Sequence, residues 1–167
     1  MANVTTATTP GLITRQRQNL GRTRSRGVDL DASVRLAGGL TATLSYEWDD
    51  AGVRSFPADA TLVGLRLPQV PRQQLAFQAR YARPRFSLAV QGRAAGTQFD
   101  DDQNLLPLRP FFTLDARAAW SLARPVEAFV AVENLTGGRY EVSRTPVTTL
   151  GPPRLVRAGL RLQLGAR

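Results

Sequence analysis

The feature that most constrains this chain is an alternation of apolar and polar side chains that recurs in seven segments. Of the 34 positions in the apolar set none is charged, whereas 12 of the 30 intervening positions are charged. A period of two residues places successive side chains on opposite faces of a β-strand. The sequence therefore predicts an all-β, antiparallel fold with one apolar face and one polar face, and no helices.

The predicted strands are separated by links of two kinds. The strands cover residues 27–36, 40–48, 74–81, 86–94, 112–122, 126–133 and 156–164. The short links are 37–39, 82–85 and 123–125, and the long links are 49–72, 97–110 and 136–153. Short and long links alternate along the chain, so one rim of the sheet is predicted to carry tight turns and the other rim long loops. Outer-membrane barrels have this arrangement.

Strand length and aromatic placement also favour a membrane. Strands of about 10 residues are long for a soluble sheet and suit a tilted transmembrane strand. Tyr46, Trp48, Phe86 and Trp120 stand near strand ends, as in the aromatic girdles of membrane barrels. A soluble antiparallel sheet packed on a core is the alternative for any single strand. For the set of strands, we predict a segment of a transmembrane β-barrel with about seven to eight meandering strands.

The composition excludes most enzymatic chemistry. All 22 basic residues are Arg, the net charge is +9, and the chain has no Lys, His or Cys. Without His or Cys there is no imidazole base, no thiolate nucleophile and no Cys-based zinc site. We expect no enzyme activity, no catalytic residues, no cofactor and no metal. The acidic run at 100–102 lacks the ligand spacing of a calcium loop and is predicted to be a solvated tip.

The basic charge leaves a choice of partners. Five arginines cluster ahead of the first predicted strand: Arg15, Arg17, Arg22, Arg24 and Arg26. A basic soluble β-barrel that binds nucleic acid is one alternative, but the other arginines are scattered instead of forming a continuous patch. The cluster also fits an outward extension of the first strand that faces anionic lipopolysaccharide. We favour this interpretation and expect no binding of nucleic acid.

Several motifs resemble those of the carboxy-terminal barrel segment of TonB-dependent outer-membrane receptors. Asn134-Leu135 at the end of a strand, followed by Tyr140, is similar to the family's penultimate strand. The start of the last strand and the Asn-x-Gly and Gly-Val-Asp sequences near the amino end are similar as well. The motif positions are Asn19, Gly21, Gly27, Asp29, Asn134, Leu135, Tyr140, Gly151, Pro153 and Arg154.

The resemblance implies that residues 1–167 are the carboxy-terminal portion of a larger receptor barrel whose plug domain and earlier strands are absent. It implies a Gram-negative bacterial outer membrane, uptake of a siderophore or similar nutrient, contact with lipid and lipopolysaccharide, and contact with TonB only through the missing plug. The polar face would then line the lumen, with these charges: Asp29, Asp31, Arg35, Glu47, Arg80, Arg93, Asp115, Arg117, Glu127, Glu133, Arg157 and Arg161.

Two further points depend on how the strands pair. Cross-strand charge pairs are expected on the polar face, for example Asp115 with Arg93 and Glu127 with Arg117, if the register allows them. A small self-contained barrel of about eight strands is a second alternative, and it requires residues 3–13 to complete a strand. That stretch alternates poorly, and only 3–6 is predicted as a strand remnant.

Overall fold

The computed structural model describes residues 2–19, 21–123 and 125–162, and the following statements concern these residues. They form fifteen strands and one short 3₁₀ turn, Ala60–Leu62, with no helix long and apolar enough to cross a membrane. The strands are β1 Ala2–Thr9, β2 Leu12–Gln18, β3 Arg22–Arg24, β4 Gly27–Leu36, β5 Leu40–Asp49, β6 Gly52–Ser55, β7 Gln73–Arg83, β8 Phe86–Ala95, β9 Gln98–Phe99, β10 Pro107–Leu108, β11 Phe111–Ala123, β12 Val126–Glu133, β13 Glu141–Ser143, β14 Thr149–Leu150 and β15 Leu155–Leu162.

Seven of these strands form one antiparallel meander with the order β15-β12-β11-β8-β7-β5-β4. They are the seven strands that the alternation predicts, so the all-β antiparallel prediction is confirmed. Gly38 and Gly39 have φ angles of 85° and 80° in the tight turn between β4 and β5, a region that favours glycine. Three predicted positions, 163 and 164 at the end of the last strand and 124 in a short turn, lie outside the described residues.

The register keeps the apolar set on one face across the whole sheet. Val28 pairs with Trp48, Leu44 with Phe77, and the same parity continues through β8, β11 and β12 to β15. This face is open: Leu160 is 68% exposed and Val28 62% exposed. A soluble protein would cover so large an apolar surface. We call the seven-stranded sheet the wall.

The buried core lies outside the wall, in the link between β5 and β7. Val53, Phe56 and Leu62 are 3%, 4% and 1% exposed, and Leu65 and Leu67 pack against them. Asp59 caps the 3₁₀ turn, because its carboxylate accepts a hydrogen bond from the N–H of Thr61. The long links therefore fold into a layer of their own, which we call the loop layer: residues 50–72, 96–110 and 134–154.

The sequence prediction is incomplete at the amino end. Instead of a remnant at 3–6, β1 and β2 form a complete hairpin, which stands apart from the seven-stranded sheet in the pairing. The register shifts between Thr5 and Ala7, so a bulge interrupts the alternation on which the prediction depends.

The long links also hold more structure than predicted. The pairs β3-β6, β9-β10 and β13-β14 form three small sheets. Their strands are only two to four residues long. Such strands are too short for a period of two residues to be recognised in the sequence.

Candidate functional site: the polar face of the wall and the loops above it

The predicted charged residues all occupy the polar face of the wall. The cross-strand partners of this face include Asp29 with Glu47, Gln91 with Asp115, and Glu127 with Arg161. The face holds a groove of about 470 Å³, which Asn134, Tyr140 and Pro152 of the loop layer also line. Its polar lining is Thr43, Ser45, Gln78, Gln91, Arg93, Thr113, Asp115, Glu133, Asn134 and Tyr140.

The late strands carry a ladder of ion pairs. Arg117 Nη2 lies 3.1 Å from Glu127 Oε1, and Arg161 Nη1 lies 3.9 Å from the same oxygen. Arg157 pairs with Glu133 nearer the loops. The predicted pairing of Glu127 with Arg117 is confirmed, and the arginines of β11 and β15 are paired with the glutamates of β12 within the wall.

Asp115 and Arg93 were expected to pair if the register allowed it, and they form no ion pair among the described residues. Arg93 stands opposite Thr113, one pleat away, and its guanidinium lies 5.2 Å from the ring centre of Phe111. Asp115 instead accepts hydrogen bonds from Gln91 Nε2 at 3.0 Å and from the backbone N–H of Asn134 at 2.8 Å. The carboxylate therefore joins the wall to the loop layer.

The early strands have uncompensated acidic charge. Asp29 and Glu47 are directly opposed across β4 and β5, an arrangement that is unfavourable for like charges. Glu47 accepts a hydrogen bond from Gln74 Nε2, and Asp31 accepts one from Ser45 Oγ. Among the described residues neither Asp29 nor Glu47 has an ion-pair partner.

Two arginines of the predicted lumen set lie near the short turns. Arg35 is opposite Thr41, and Arg80 is opposite Thr41 on the next strand. Their guanidinium groups make no ion pair with the described residues. The polar face is thus acidic near the loops on β4 and β5 and basic near the turns on β4 and β7.

The motif residue Asn134 is a junction at the end of β12. It is 4% exposed and adopts a positive φ of 48°. Its Nδ2 donates to the carbonyl oxygens of Gly138 at 2.9 Å and Pro152 at 3.1 Å. One side chain thereby fixes both ends of the link between β12 and β15. Leu135, the next motif residue, donates its N–H to the carbonyl of Leu114 on β11.

The other motif residues of this link pack on the junction. Tyr140 stacks on Phe111, with 4.3 Å between ring centres. Gly151 leaves room for the tyrosine ring, since a Cβ there would lie 2.1 Å from Tyr140 Cζ. Arg154 lies against Gly137 and, with Pro153, lines a depression beside it. The structure therefore brings Asn134, Tyr140, Gly151, Pro153 and Arg154, which belong to two separate motifs of the sequence, together.

Two of the amino-terminal motif residues are glycines that lie close to the backbone of a neighbouring segment. A Cβ at Gly27 would lie 2.6 Å from the carbonyl oxygen of Trp48, and a Cβ at Gly21 would lie 2.8 Å from that of Ser55. Asn19 is exposed. Asp29 lies on the polar face near the groove, beside Asp31 and Arg93. These four residues do not meet the Asn134 junction.

Side-chain hydrogen bonds join the first two long links of the loop layer. The N–H of Arg66 donates to Asn104 Oδ1 at 2.8 Å, and Asn104 Nδ2 donates back to the carbonyl of Arg66 at 3.0 Å. The guanidinium of Arg66 donates to the carbonyls of Thr97 and Val70. Sequence reasoning missed this contact. Its one local sign is the residue type at position 104, because asparagine tolerates the positive φ of 58° that the structure shows there.

Asp100 connects the second link to the first and the third. Its carboxylate accepts hydrogen bonds from the N–H of Arg144 at 2.8 Å, from Ser143 Oγ at 3.3 Å and from Gln69 Nε2 at 3.1 Å. Partial burial acts to raise the pKa of Asp100, but the hydrogen bonds, led by that from Arg144, outweigh burial and hold it below its usual value. The three long links thus share one carboxylate.

The acidic run is therefore not the solvated tip that was predicted. Asp100, Asp101 and Asp102 are all partly buried. Asp101 accepts hydrogen bonds from the N–H groups of Leu105 and Leu106, at 3.0 and 2.7 Å, and so closes a turn. No three acidic side chains in the described ranges are arranged to hold a metal ion.

Comparison with known proteins gives the family. Residues 2–135 match the family model described as TonB dependent receptor-like, beta-barrel. The ferrichrome outer membrane transporter/phage receptor of Escherichia coli (strain K12) is 28% identical over 109 residues, which cover 62% of this chain and 14% of that protein.

Solved structures agree on the fold. The ferric yersiniabactin uptake receptor from Yersinia pestis is similar with a TM-score of 0.75 at 23% identity, covering 86% of this chain and 24% of that one. The ferric-catecholate import receptor of E. coli K12 gives 0.73 at 17% identity, covering 91% and 22%. This chain spans less than a quarter of the length of these relatives. It belongs to the TonB-dependent receptor-like β-barrel family.

Proposed function

We propose that this chain forms the carboxy-terminal part of the wall and outer loops of a receptor in the outer membrane of a Gram-negative bacterium. One observation carries the proposal: the uncharged, exposed face is continuous over all seven strands of the wall. The wall has tight turns on one rim and the interconnected loop layer on the other, as expected for periplasmic and extracellular ends.

The wall also requires further strands. Within the described residues, β4 and β15 each have one neighbour, so both edges of the sheet have unpaired backbone groups. Unpaired groups in hydrocarbon cost several kcal/mol each. Transporters of this kind close with about 22 strands around a plug, so the remaining strands and the plug are supplied by the rest of the receptor. The self-contained barrel of about eight strands is disfavoured because β15 and β4 are at opposite edges.

The polar face supplies contacts for the plug. Asp29 and Glu47 face each other and neither forms an ion pair with the described residues, although Arg93 lines the same depression. A further basic group approaching from the lumen would relieve their repulsion. We assign this acidic pair to contact with an arginine or lysine of the plug. Contact with TonB then runs through the plug and not through this chain.

The ligand of the receptor is proposed to be a siderophore-like nutrient. The relatives named above are receptors or transporters of ferrichrome, ferric yersiniabactin and ferric catecholates. The groove beneath the loop layer offers amide, hydroxyl and guanidinium groups, with Arg93 and Tyr140 among them. Asp115 and Glu133 line the groove as well, so it suits a polar chelate that carries both hydrogen-bond donors and acceptors, and the chain is proposed to perform no covalent chemistry on its ligand.

Single cysteines test the wall assignment, because the chain has no native cysteine. Val90→Cys is placed on the apolar face and Gln91→Cys, its neighbour, on the polar face. In outer membranes we expect a lipid-soluble maleimide to label position 90 and a water-soluble one to label position 91. The pair Ala79→Cys and Gln78→Cys repeats the comparison on β7. Labelling of both neighbours by the water-soluble reagent would overturn the assignment.

A further inference from the structure

The polar face of the wall carries a row of arginines that the strand register lines up. Following the cross-strand partners from β4 to β15 gives one residue on each strand of the wall. Every second strand contributes an arginine, and each strand between them contributes a small residue. In order across the wall, the residues are Arg35, Thr41, Arg80, Ala89, Arg117, Ala131 and Arg157. We call this set the arginine row.

The row crosses the wall obliquely, from the rim with the tight turns to the rim with the loop layer. Arg35 is the second-last residue of β4, next to a tight turn, whereas Arg157 is the third residue of β15, next to the loop layer. This slope is expected, because cross-strand partners lie perpendicular to strands that tilt by roughly 35–45° in a barrel. Neighbouring arginines of the row stand on strands about 10 Å apart, twice the strand spacing. The row therefore offers an anionic group successive steps between the two rims.

The arginines of the row on β11 and β15 are held in place within the wall. Arg117 pairs with Glu127 at 3.1 Å, and its guanidinium lies 5.2 Å from the ring centre of Phe129. Arg157 pairs with Glu133. The positive charge of this half of the row is therefore partly neutralised, and its guanidinium groups are fixed.

The small residues of the row leave space between the arginines. Ala89 and Ala131 line a cavity of about 280 Å³ together with Arg117 and Arg157. This cavity shares four lining residues with the larger groove of the polar face: Gln78, Gln91, Asp115 and Glu133. The groove therefore leads directly to the arginine row.

The half of the row nearest the tight turns has no such neutralisation. Arg35 and Arg80 stand on either side of Thr41, and both arginines are exposed. Neither forms an ion pair within the part of the chain that the structure describes. Two guanidinium groups that flank a hydroxyl group suit the oxygens of a carboxylate. An anion between the two arginines would also relieve their repulsion.

We infer that the arginine row is a path for the anionic groups of the nutrient, leading from the groove to the rim with the tight turns. This inference deepens the proposed function and rests on it, because it takes the polar face as the lining of the lumen. Arginine side chains that line a pore favour the passage of anions. The paired arginines hold an anion more weakly than Arg35 and Arg80, so the nutrient is drawn towards the turns. The row thus assigns the nutrient to chelates that carry carboxylates.

A cysteine between the two unpaired arginines tests the row. Thr41→Cys is introduced into the receptor that contains this chain, and the receptor is studied in outer-membrane vesicles. The thiol is labelled with a negatively and a positively charged methanethiosulfonate of similar size, and the ratio of the two rates is taken. Arg35→Gln with Arg80→Gln removes both charges. Arg22→Gln with Arg26→Gln removes two exposed arginines outside the row and is the matched control.

We expect the negative reagent to react faster, and its preference to fall about tenfold without Arg35 and Arg80. One charge at about 7 Å in salt water changes the rate of a singly charged reagent about twofold, and it acts on the two reagents in opposite directions. The control variant should keep the preference. Millimolar citrate, a tricarboxylate, should slow labelling of the thiol by an uncharged maleimide more than chloride of equal ionic strength does. This protection should be lost without the two arginines.

Three results would overturn the inference: equal rates for the two charged reagents, an equal fall of the ratio in both variants, or no more protection by citrate than by chloride. Heat-dependent gel mobility checks that every variant is folded, and the receptor without the introduced cysteine gives the background. A thiol at position 41 that no reagent reaches would show that the plug covers the two arginines, which also contradicts a ligand path.

Failure of this inference differs from failure of the proposed function. Val90→Cys lies on the apolar face, so charged reagents should not reach it if that face meets lipid. Labelling of position 90 by either charged reagent would remove the membrane wall itself. If position 90 stays unlabelled while position 41 shows no preference between the reagents, the wall stands and the arginine path is wrong.

Discussion

The wall and the loop layer belong to one chain but bury their side chains in opposite ways. Among the described residues, Ala119 is the one buried hydrophobic residue of the wall, and large side chains such as Leu160 stay more than half exposed. The loop layer buries Leu62 and Leu108 to 1% and 0% exposure. The wall is held by backbone ladders and leaves its apolar face uncovered, whereas the loop layer is held by packing and side-chain hydrogen bonds.

This difference means that the same kind of substitution should have different consequences in the two regions. In the loop layer a change acts through packing volume, as in the core of a soluble domain. In the wall it should act through the medium that the side chain faces, since the proposed function places lipid on one side of each strand and lumen water on the other.

The largest effect is expected in the loop core. Leu62→Ala removes a side chain that is 1% exposed and should destabilise residues 50–72 by about 2–5 kcal/mol. Hydrogen exchange on the receptor should show faster exchange in this link, with the amides of the wall unchanged. Val63→Ala, at a side chain that is 46% exposed, is the control and should have little effect. Loss of protection in β5 and β7 as well would show that the two regions are not separate.

A charge in the middle of the wall should have the next largest effect, and on one face only. Val90→Arg places a guanidinium on the lipid side of β8 and should cost about 2–4 kcal/mol at the bilayer midplane. Gln91→Arg adds the same charge one residue away, on the polar face beside Asp115, and should cost close to nothing. Unfolding by urea in lipid vesicles measures both. Similar losses in the two variants would contradict a lipid-facing surface.

Much of the wall could be predicted from the sequence because charge is absent from alternate residues. Val28, Leu44 and Val130 belong to the uncharged set and mark the face and its phase without knowledge of the fold. The sequence left the register open, and the register decides that Asp115 lies opposite Gln91 and not opposite Arg93. The amino-terminal hairpin was missed because the bulge at Thr5 and Ala7 breaks that phase.

The loop layer could not be predicted in the same way. The contacts of Arg66 with Asn104 and of Asp100 with Arg144 join residues 38 and 44 positions apart, and no periodic pattern encodes them. The acidic run looked solvated because neighbouring loops that cover it are distant in sequence. The motif around Asn134 was located from resemblance, but its role as a junction required the carbonyl positions of Gly138 and Pro152.

The junction between the two regions should be sensitive to an intermediate degree. Asn134→Ala leaves the carbonyls of Gly138 and Pro152 without their donor and should cost about 1–3 kcal/mol. Because Asn134 contacts both regions, faster hydrogen exchange is expected in the link 134–154 and at the adjoining end of β12. Asn19→Ala changes the other motif asparagine, which is exposed, and should leave exchange unchanged. Equal effects of the two substitutions would argue against the junction.

The smallest effect is expected from protonation of Asp100. Since its pKa is lowered in the folded chain, the carboxylate stabilises the loop layer above the ordinary aspartate pKa of about 4, and this contribution is lost as pH falls below that value. Opening of the links 96–110 and 134–154, measured by limited proteolysis with pepsin between about pH 2 and 5, should therefore increase at the acidic end.

The substitution Asp100→Asn removes the ionisable group. In this variant the links should open about fivefold more at pH 5, with a weaker pH dependence, because a partly exposed charged contact contributes only about 1 kcal/mol. The wall has no share in this contact, so its proteolysis should be the same in both proteins. If the links of the Asp100→Asn variant still open at low pH to the same extent, another group causes the pH response. Asp100 would then act only as a neutral hydrogen-bond acceptor.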